Sequence, residues 1–174
     1  MHYNVRRIAY AGLLIAISII LTRVLSGNIL LGGVSILRLS FGQVPIYISG
    51  MLLGPAYGAI SGALADLIGY PLNPLGPYFP GFTLSGAVSG LIPGLFSRYV
   101  KREPSWLRLL SVIALTEFTA SVVLNTVWLH ILTGKAVFAI AASTLISRIL
   151  LVPVHATIVK FVLKYSRQLS PIMK

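Results

Sequence analysis

The chain has 174 residues, 56% of them hydrophobic and only 10% charged. A soluble domain needs roughly a quarter of its residues charged, so lipid is the solvent that fits. The net charge of +11 does not indicate nucleic acid, because the basic residues follow membrane topology instead, and the absence of cysteine excludes disulfides and thiolate metal sites.

A spanning helix takes about 20 mostly apolar residues, so this length allows about six spans with short loops and no large soluble domain beside them. The first span is expected from Ile8 to Leu25. The apolar run after Arg6–Arg7 is too long for a cleaved signal and lacks a small-residue cleavage pattern. An uncharged loop is expected at Ser26–Ser35, then a second span at Leu39–Leu53 that breaks at Gly54–Pro55. The third span covers Ala56–Tyr70. A proline-rich breaker, Pro71–Gly81, follows it, because four prolines and two glycines rule out a regular helix. The fourth span is Phe82–Val100, the fifth Trp106–Leu132 after the charged loop Lys101–Ser105, and the sixth Ala136–Tyr165 after the turn Thr133–Lys135.

With six spans, ten of the fourteen basic residues fall on one side. They are Arg6, Arg7, Arg98, Lys101, Arg102, Arg108, Lys160, Lys164, Arg167 and Lys174. The positive-inside rule then places both termini in the cytoplasm. The expected fold is all-α: a polytopic membrane protein with six transmembrane helices, forming one domain over residues 1–174. Its expected location is the bacterial plasma membrane.

Gly54, Gly58 and Gly62 repeat every fourth residue, as do Gly86, Gly90 and Gly94. Small residues at this spacing let helix backbones approach closely in lipid, and packing within the monomer is the favoured reading. Ala9, Gly12 and Ala16 form a similar stripe on span one, which either packs inside the protein or docks a partner subunit.

The acidic residues are Asp66, Glu103 and Glu117. Glu103 belongs to a cytoplasmic loop as a solvated charge. Asp66 and Glu117 fall within spans, where an ionisable group is costly and faces the bundle interior. Each is either the partner of Arg23 or Arg148 in a buried pair, or a group for ligand recognition or proton relay. On span five, Glu117, Ser121, Leu124, Asn125 and Trp128 share one face. An amide and an indole together suit a flat heteroaromatic ring, one bonding its edge and the other stacking on its face. Trp128 alone also fits a membrane-interface anchor. His130 and His155 are isolated and have no metal-ligand spacing. Arg38, Ser40 and Phe41 stand at the start of span two, and Tyr70, Asn73, Tyr78, Phe79 and Phe82 flank the proline-rich loop. Arg23, Arg38, Lys135 and Arg148 add positive charge on the outer side against the topology rule, which points to an anionic ligand from outside. Snorkelling to the headgroups is the alternative for each, Lys135 above all. No phosphate loop, HExxH or GxSxG motif is present, so nothing in the sequence motivates an enzyme.

The runs LRLSFGQVPI (37–46), MLLGP (51–55), GALADLIG (62–69), GPYFPGFTLS (76–85) and LNTVWL (124–129) resemble the S components of energy-coupling factor (ECF) vitamin transporters, most closely the folate-specific ones. The resemblance covers essentially the whole chain, and GPYFPGFTLS is its most specific part. It implies a six-helix protein that binds a vitamin from outside and topples in the membrane to carry it inward. It also implies partners: a transmembrane T component and two ATPase subunits that supply the energy, with no cofactor on the S component itself. Span one of such proteins carries an AxxxA-like stripe toward the T component. Gly12 and Ala16 match that spacing with one glycine for alanine, which favours docking.

Folate fits the residues read above. Asp66 or Asn125 would pair with the pterin edge, and Trp128, Tyr78 or Phe79 would stack on the ring. Arg23, Arg38 or Arg148 would hold or attract the glutamate tail. Ser40, Phe41, Tyr70 and Phe82 complete the expected ligand-binding set. The alternatives are an S component for another vitamin or precursor (hydroxymethylpyrimidine, pantothenate), a membrane enzyme, or a purely structural bundle. Pro71–Gly81 and the loop around Gly32–Gly33 are candidates for a lid.

Overall fold

The computed structural model describes residues 2–23, 27–31, 34–72, 77–102 and 105–168. Gly32, Gly33, Asn73, Gly76, Glu103 and Lys174, named above, lie outside the described residues, as does the side chain of Arg38.

Helix α1 (His2–Arg23) is followed by an antiparallel hairpin, β1 (Gly27–Leu31) and β2 (Val34–Leu39). The pairing runs from Gly27 opposite Leu39 to Leu31 opposite Val34, with a bulge between Ile29 and Leu30. This corrects the expected loop at Ser26–Ser35 and the start of span two at Leu39. The aliphatic runs on either side of the Gly32–Gly33 pair carry hairpin chemistry. Helix α2 (Gln43–Leu53) therefore begins four residues late, and it stops at Gly54, whose φ of 108° only glycine adopts readily.

Helix α3 (Pro55–Leu72) passes through Pro71, so the breaker acts only at its end. Helix α4 (Pro80–Leu95) opens on a proline, whose missing N–H costs nothing in a first turn. Phe96 interrupts the expected fourth span, and Lys101 and Arg102 fold into a separate short helix, α5 (Ser97–Arg102). Helix α6 (Trp106–Glu117), a π-helical stretch (Phe118–Leu124) and α7 (Asn125–Thr133) form one continuous run, ended by left-handed Gly134. Helix α8 (Val137–Gln168) completes the bundle.

Three helical runs, Val5–Arg23, Trp106–Thr133 and Val137–Tyr165, are each long and apolar enough to cross a membrane. Helix α2 is shorter because protein, not lipid, surrounds it: every residue from Val44 to Met51 is buried. Its Val44, Tyr47, Ile48 and Met51 pack on Leu109 and Ile113 of α6 and on Ala156 and Val159 of α8. The perimeter is apolar, with Ile8, Leu13 and Ile20 of α1, Phe118, and Ile149 and Phe161 of α8 exposed. This is the inverse of a soluble surface and suits a bilayer. The protein is an all-helical multi-pass membrane protein apart from its hairpin.

The glycine repeats join α2, α3 and α4. A Cβ on Gly62 would overlap the Gly86 carbonyl, and one on Gly58 would overlap Gly90. Gly94 lies as closely against Pro55. Gly54 is a turn residue with nothing within 4 Å of its Cβ position, not a rung of the ladder.

Candidate functional site

The end of the bundle that carries the hairpin opens into a cavity of about 670 Å³. This lies within the roughly 300–1,000 Å³ that small-molecule sites occupy. Its walls come from α1, the start of α2, α3, α4, the π stretch, α7 and α8, together with the segments leading into α2 and α4.

One wall is aromatic. Tyr70 and Tyr78 sit 5.1 Å apart between ring centroids, and Phe79 meets Phe82 at 6.1 Å. Beside them, Asp66 pairs with Arg23 at 3.6 Å and accepts the Thr83 hydroxyl at 2.7 Å, and the Tyr78 hydroxyl lies 3.2 Å from Thr83. Behind Phe79 stands Trp128, 5.6 Å away, whose indole N–H donates to Ser85 at 3.1 Å.

The floor is built differently. Glu117 is 1% exposed and does not line the cavity. It accepts the Tyr47 hydroxyl on Oε1 at 2.5 Å and the Ser121 hydroxyl on Oε2 at 2.7 Å. Arg148 Nη1 reaches Oε2 at 3.3 Å, and His155 Nδ1 lies 3.3 Å from Oε1. A carboxylate this far from water survives only when its lone pairs are taken up, and here Tyr47, Ser121 and Arg148 share the task. The His155 Nε2–H donates to the Ser40 carbonyl at 3.3 Å, and Phe41 meets the same ring edge-on at 6.0 Å.

The π stretch sets the register above Glu117. In an uninterrupted α-helix Asn125 would stand ~80° off the face of Glu117, at about 100° per residue. The wider turns of Phe118–Leu124 bring Glu117, Ser121 and Asn125 toward one face, and the latter two line the cavity. Asn125 Oδ1 and Arg148 Nε are both buried, and neither has a hydrogen-bond partner among the described residues.

Of the expected ligand-binding residues, Arg23, Ser40, Asp66, Tyr70, Tyr78, Phe79, Phe82, Asn125 and Arg148 line this cavity. Phe41 and Trp128 stand one layer behind it, and Arg38 lies in β2. Sequence reasoning missed Ser18, Thr22, Gln43, Ser143 and Ser147, which also line it. The available signal was polar pairs four residues apart on the first and last helices. On α1, Ala9, Gly12 and Ala16 are exposed and Gly12 has nothing within 4 Å of its Cβ position, while Ala11, Ile15 and Ser18 face the bundle.

A helical bundle with a polar and aromatic cavity closed at one end is a membrane-embedded binding protein. A family model for the S component of ECF-type riboflavin transporters matches residues 2–165, and the chain belongs to the ECF-type transporter S components. It is 36% identical over 150 residues to the folate transporter FolT of Clostridium novyi (strain NT), covering 86% of this chain and 83% of that one. The FolT of Leuconostoc mesenteroides subsp. mesenteroides is 28% identical over 127 residues, covering 72% of this chain and 64% of that one.

Among solved structures, the crystal structure of FolT bound with folic acid matches with a TM-score of 0.75 and 31% identity, over 88% of this chain and 90% of that one. The S component for biotin from an ECF-type ABC transporter matches with a TM-score of 0.72 over 95% and 92% of the two chains. At 23% identity it speaks for the fold alone. These relatives are transporter subunits and not enzymes. The chain is accordingly a multi-pass protein of the bacterial plasma membrane.

Proposed function

We propose that this chain is the folate-binding S component of an ECF-type ABC transporter. In this reading it captures the vitamin in the cavity at the hairpin end and delivers it inward with an energising module. The observation that carries the reading is the cavity itself: flat aromatic walls, the Arg23–Asp66 pair, and Asn125 and Arg148 among the lining side chains. Folate presents a flat pterin, an aromatic linker and a dianionic tail to match. The likeness to two folate transporters supports the same ligand.

The whole chain serves as one six-span domain with both termini cytoplasmic, which puts the cavity outside. ATP hydrolysis belongs to two separate ATPase subunits. The exposed Ala9–Gly12–Ala16 face of α1 docks the transmembrane T component, since close backbone approach in lipid needs small residues.

Riboflavin is the second reading, favoured by the name of the matching family model. Calorimetric titration of the purified chain with folic acid, riboflavin and pantothenate tests both. Folic acid is expected to bind well below micromolar and the others at least ~100-fold more weakly, a gap of about 2.7 kcal/mol. Tighter binding of riboflavin would replace the folate reading.

A further inference from the structure

The connection from β2 to α2 is three residues long, Ser40, Phe41 and Gly42, and all three of its carbonyls are committed. The Ser40 carbonyl accepts the His155 Nε2–H at 3.3 Å, the Phe41 carbonyl accepts the Val44 N–H at 3.1 Å, and the Gly42 carbonyl accepts the Ser18 hydroxyl at 2.7 Å. The first and last helices therefore hold one connection between them. Its packing is as close as its bonding, since a Cβ on Gly42 would overlap the Thr22 hydroxyl. Two cavity-lining side chains, Ser40 and Gln43, hang from this segment, so its place decides theirs.

His155 is the member that needs explaining. It is 0% exposed and does not line the cavity. Phe41 and Tyr47 meet its ring edge-on, at 6.0 and 6.1 Å between centroids, a setting that a plain hydrocarbon ring would also suit. A ring with two nitrogens is costly there unless it is hydrogen-bonded. The Ser40 carbonyl can only accept, so Nε2 carries a hydrogen. Nδ1 stands 3.3 Å from Glu117 Oε1 and makes no hydrogen bond among the described residues. That oxygen already accepts the Tyr47 hydroxyl. The hydrogen bond that an imidazole supplies at this position is thus the one to the connection.

We propose that His155 is a positioning residue. It does not touch the ligand, and it pins the β2–α2 connection to α8 so that Ser40 and Gln43 stay in the cavity wall. The proposal rests on the folate reading for its ligand, but the pinned segment can be observed without one. Loosening a wall against which the ligand already lies shortens its stay more than it slows its arrival.

The test uses the geometry of the ring. A glutamine amide nitrogen reaches the place of Nε2, whereas an asparagine amide nitrogen reaches only the place of Nδ1. His155→Phe keeps a ring and removes the donor. It is expected to raise the dissociation rate of folic acid ~10-fold and to leave the association rate within ~2-fold, because a buried carbonyl loses its partner. In the unliganded protein, hydrogen exchange should quicken over residues 34–44 and stay unchanged over α3 and α4. His155→Gln should restore both readings toward wild type, and His155→Asn should not. If His155→Phe does not fold, the comparison of His155→Gln with His155→Asn decides. Rescue by His155→Asn and not by His155→Gln would place the role on the Glu117 side and overturn the proposal, as would equal behaviour of the two. An unchanged dissociation rate in His155→Phe would also overturn it, and so would faster exchange throughout the bundle, which would make His155 a packing residue alone. A wild-type chain that binds no folic acid removes the ligand reading instead, and exchange over residues 34–44 then decides by itself.

Discussion

At the scale of single residues, the cost of burying polar groups in lipid made most of the site legible. Asp66, Asn125 and Arg148 were found because each is expensive in a span and needs a partner. The serines and threonines of the first and last helices carry no such signal, for a physical reason. Ser147 donates to the Ser143 carbonyl and Thr144 to the Ile140 carbonyl, so each satisfies itself within its own helix and signals no missing partner. Trp128 was legible as a residue but not as to its layer, because indole suits both a ring face and a packing wall. The same contacts separate two substitutions. Asn125→Ala removes an amide oxygen with no protein partner, so stability of the unliganded chain should stay within about 0.5 kcal/mol while folic acid affinity drops ~10-fold. Asp66→Ala also removes one partner of Arg23 and of the Thr83 hydroxyl, so it should lower both affinity and stability, the latter by about 1–3 kcal/mol. Thermal melting and calorimetry on the two variants check the contrast. Equal melting losses would show that the amide is structural.

At the scale of elements, small-residue spacing proved readable and its consequences differ between helices. The rungs at Gly58, Gly62, Gly86 and Gly90 bring α3 and α4 into backbone contact, which no other residue permits. The spacing could not distinguish Gly54, because a turn glycine and a packing glycine look alike until φ is known. The hairpin reads as a loop because hydropathy cannot separate a short strand from an apolar linker, although the aliphatic residues around Gly32–Gly33 carry the signal. The π stretch had no sequence signature at all, since it is a matter of backbone register. Two glycine substitutions should part company. Gly62→Ala drives a methyl into the Gly86 backbone, which has no rotamer with which to yield, and should destabilise by about 1–3 kcal/mol. Gly12→Trp meets open space, so melting and folic acid binding should be unchanged while co-purification with the energising subunits is lost. Assembly that survives Gly12→Trp would move the docking face elsewhere on the protein.

At the scale of the molecule, orientation follows from charge and not from packing, because a helical bundle packs equally well either way up. The opposite end from the cavity holds Arg98, Arg108, Lys160 and Lys164, and Lys or Arg near a span end resists translocation. The cavity end has its own cations, but Arg23 and Arg148 are paired with Asp66 and Glu117 inside the protein and add little to the loop bias. The cysteine-free sequence makes this directly measurable, since a single introduced thiol is the only one that reports. Ser105 and Lys135 are both exposed and bracket the spanning run Trp106–Thr133, so they must lie on opposite sides of the membrane. In intact cells, a membrane-impermeant maleimide should label Lys135→Cys, whereas Ser105→Cys should react only after permeabilisation. The reverse pattern would open the cavity to the cytoplasm. Capture from outside would then be impossible, however well the site fits its ligand.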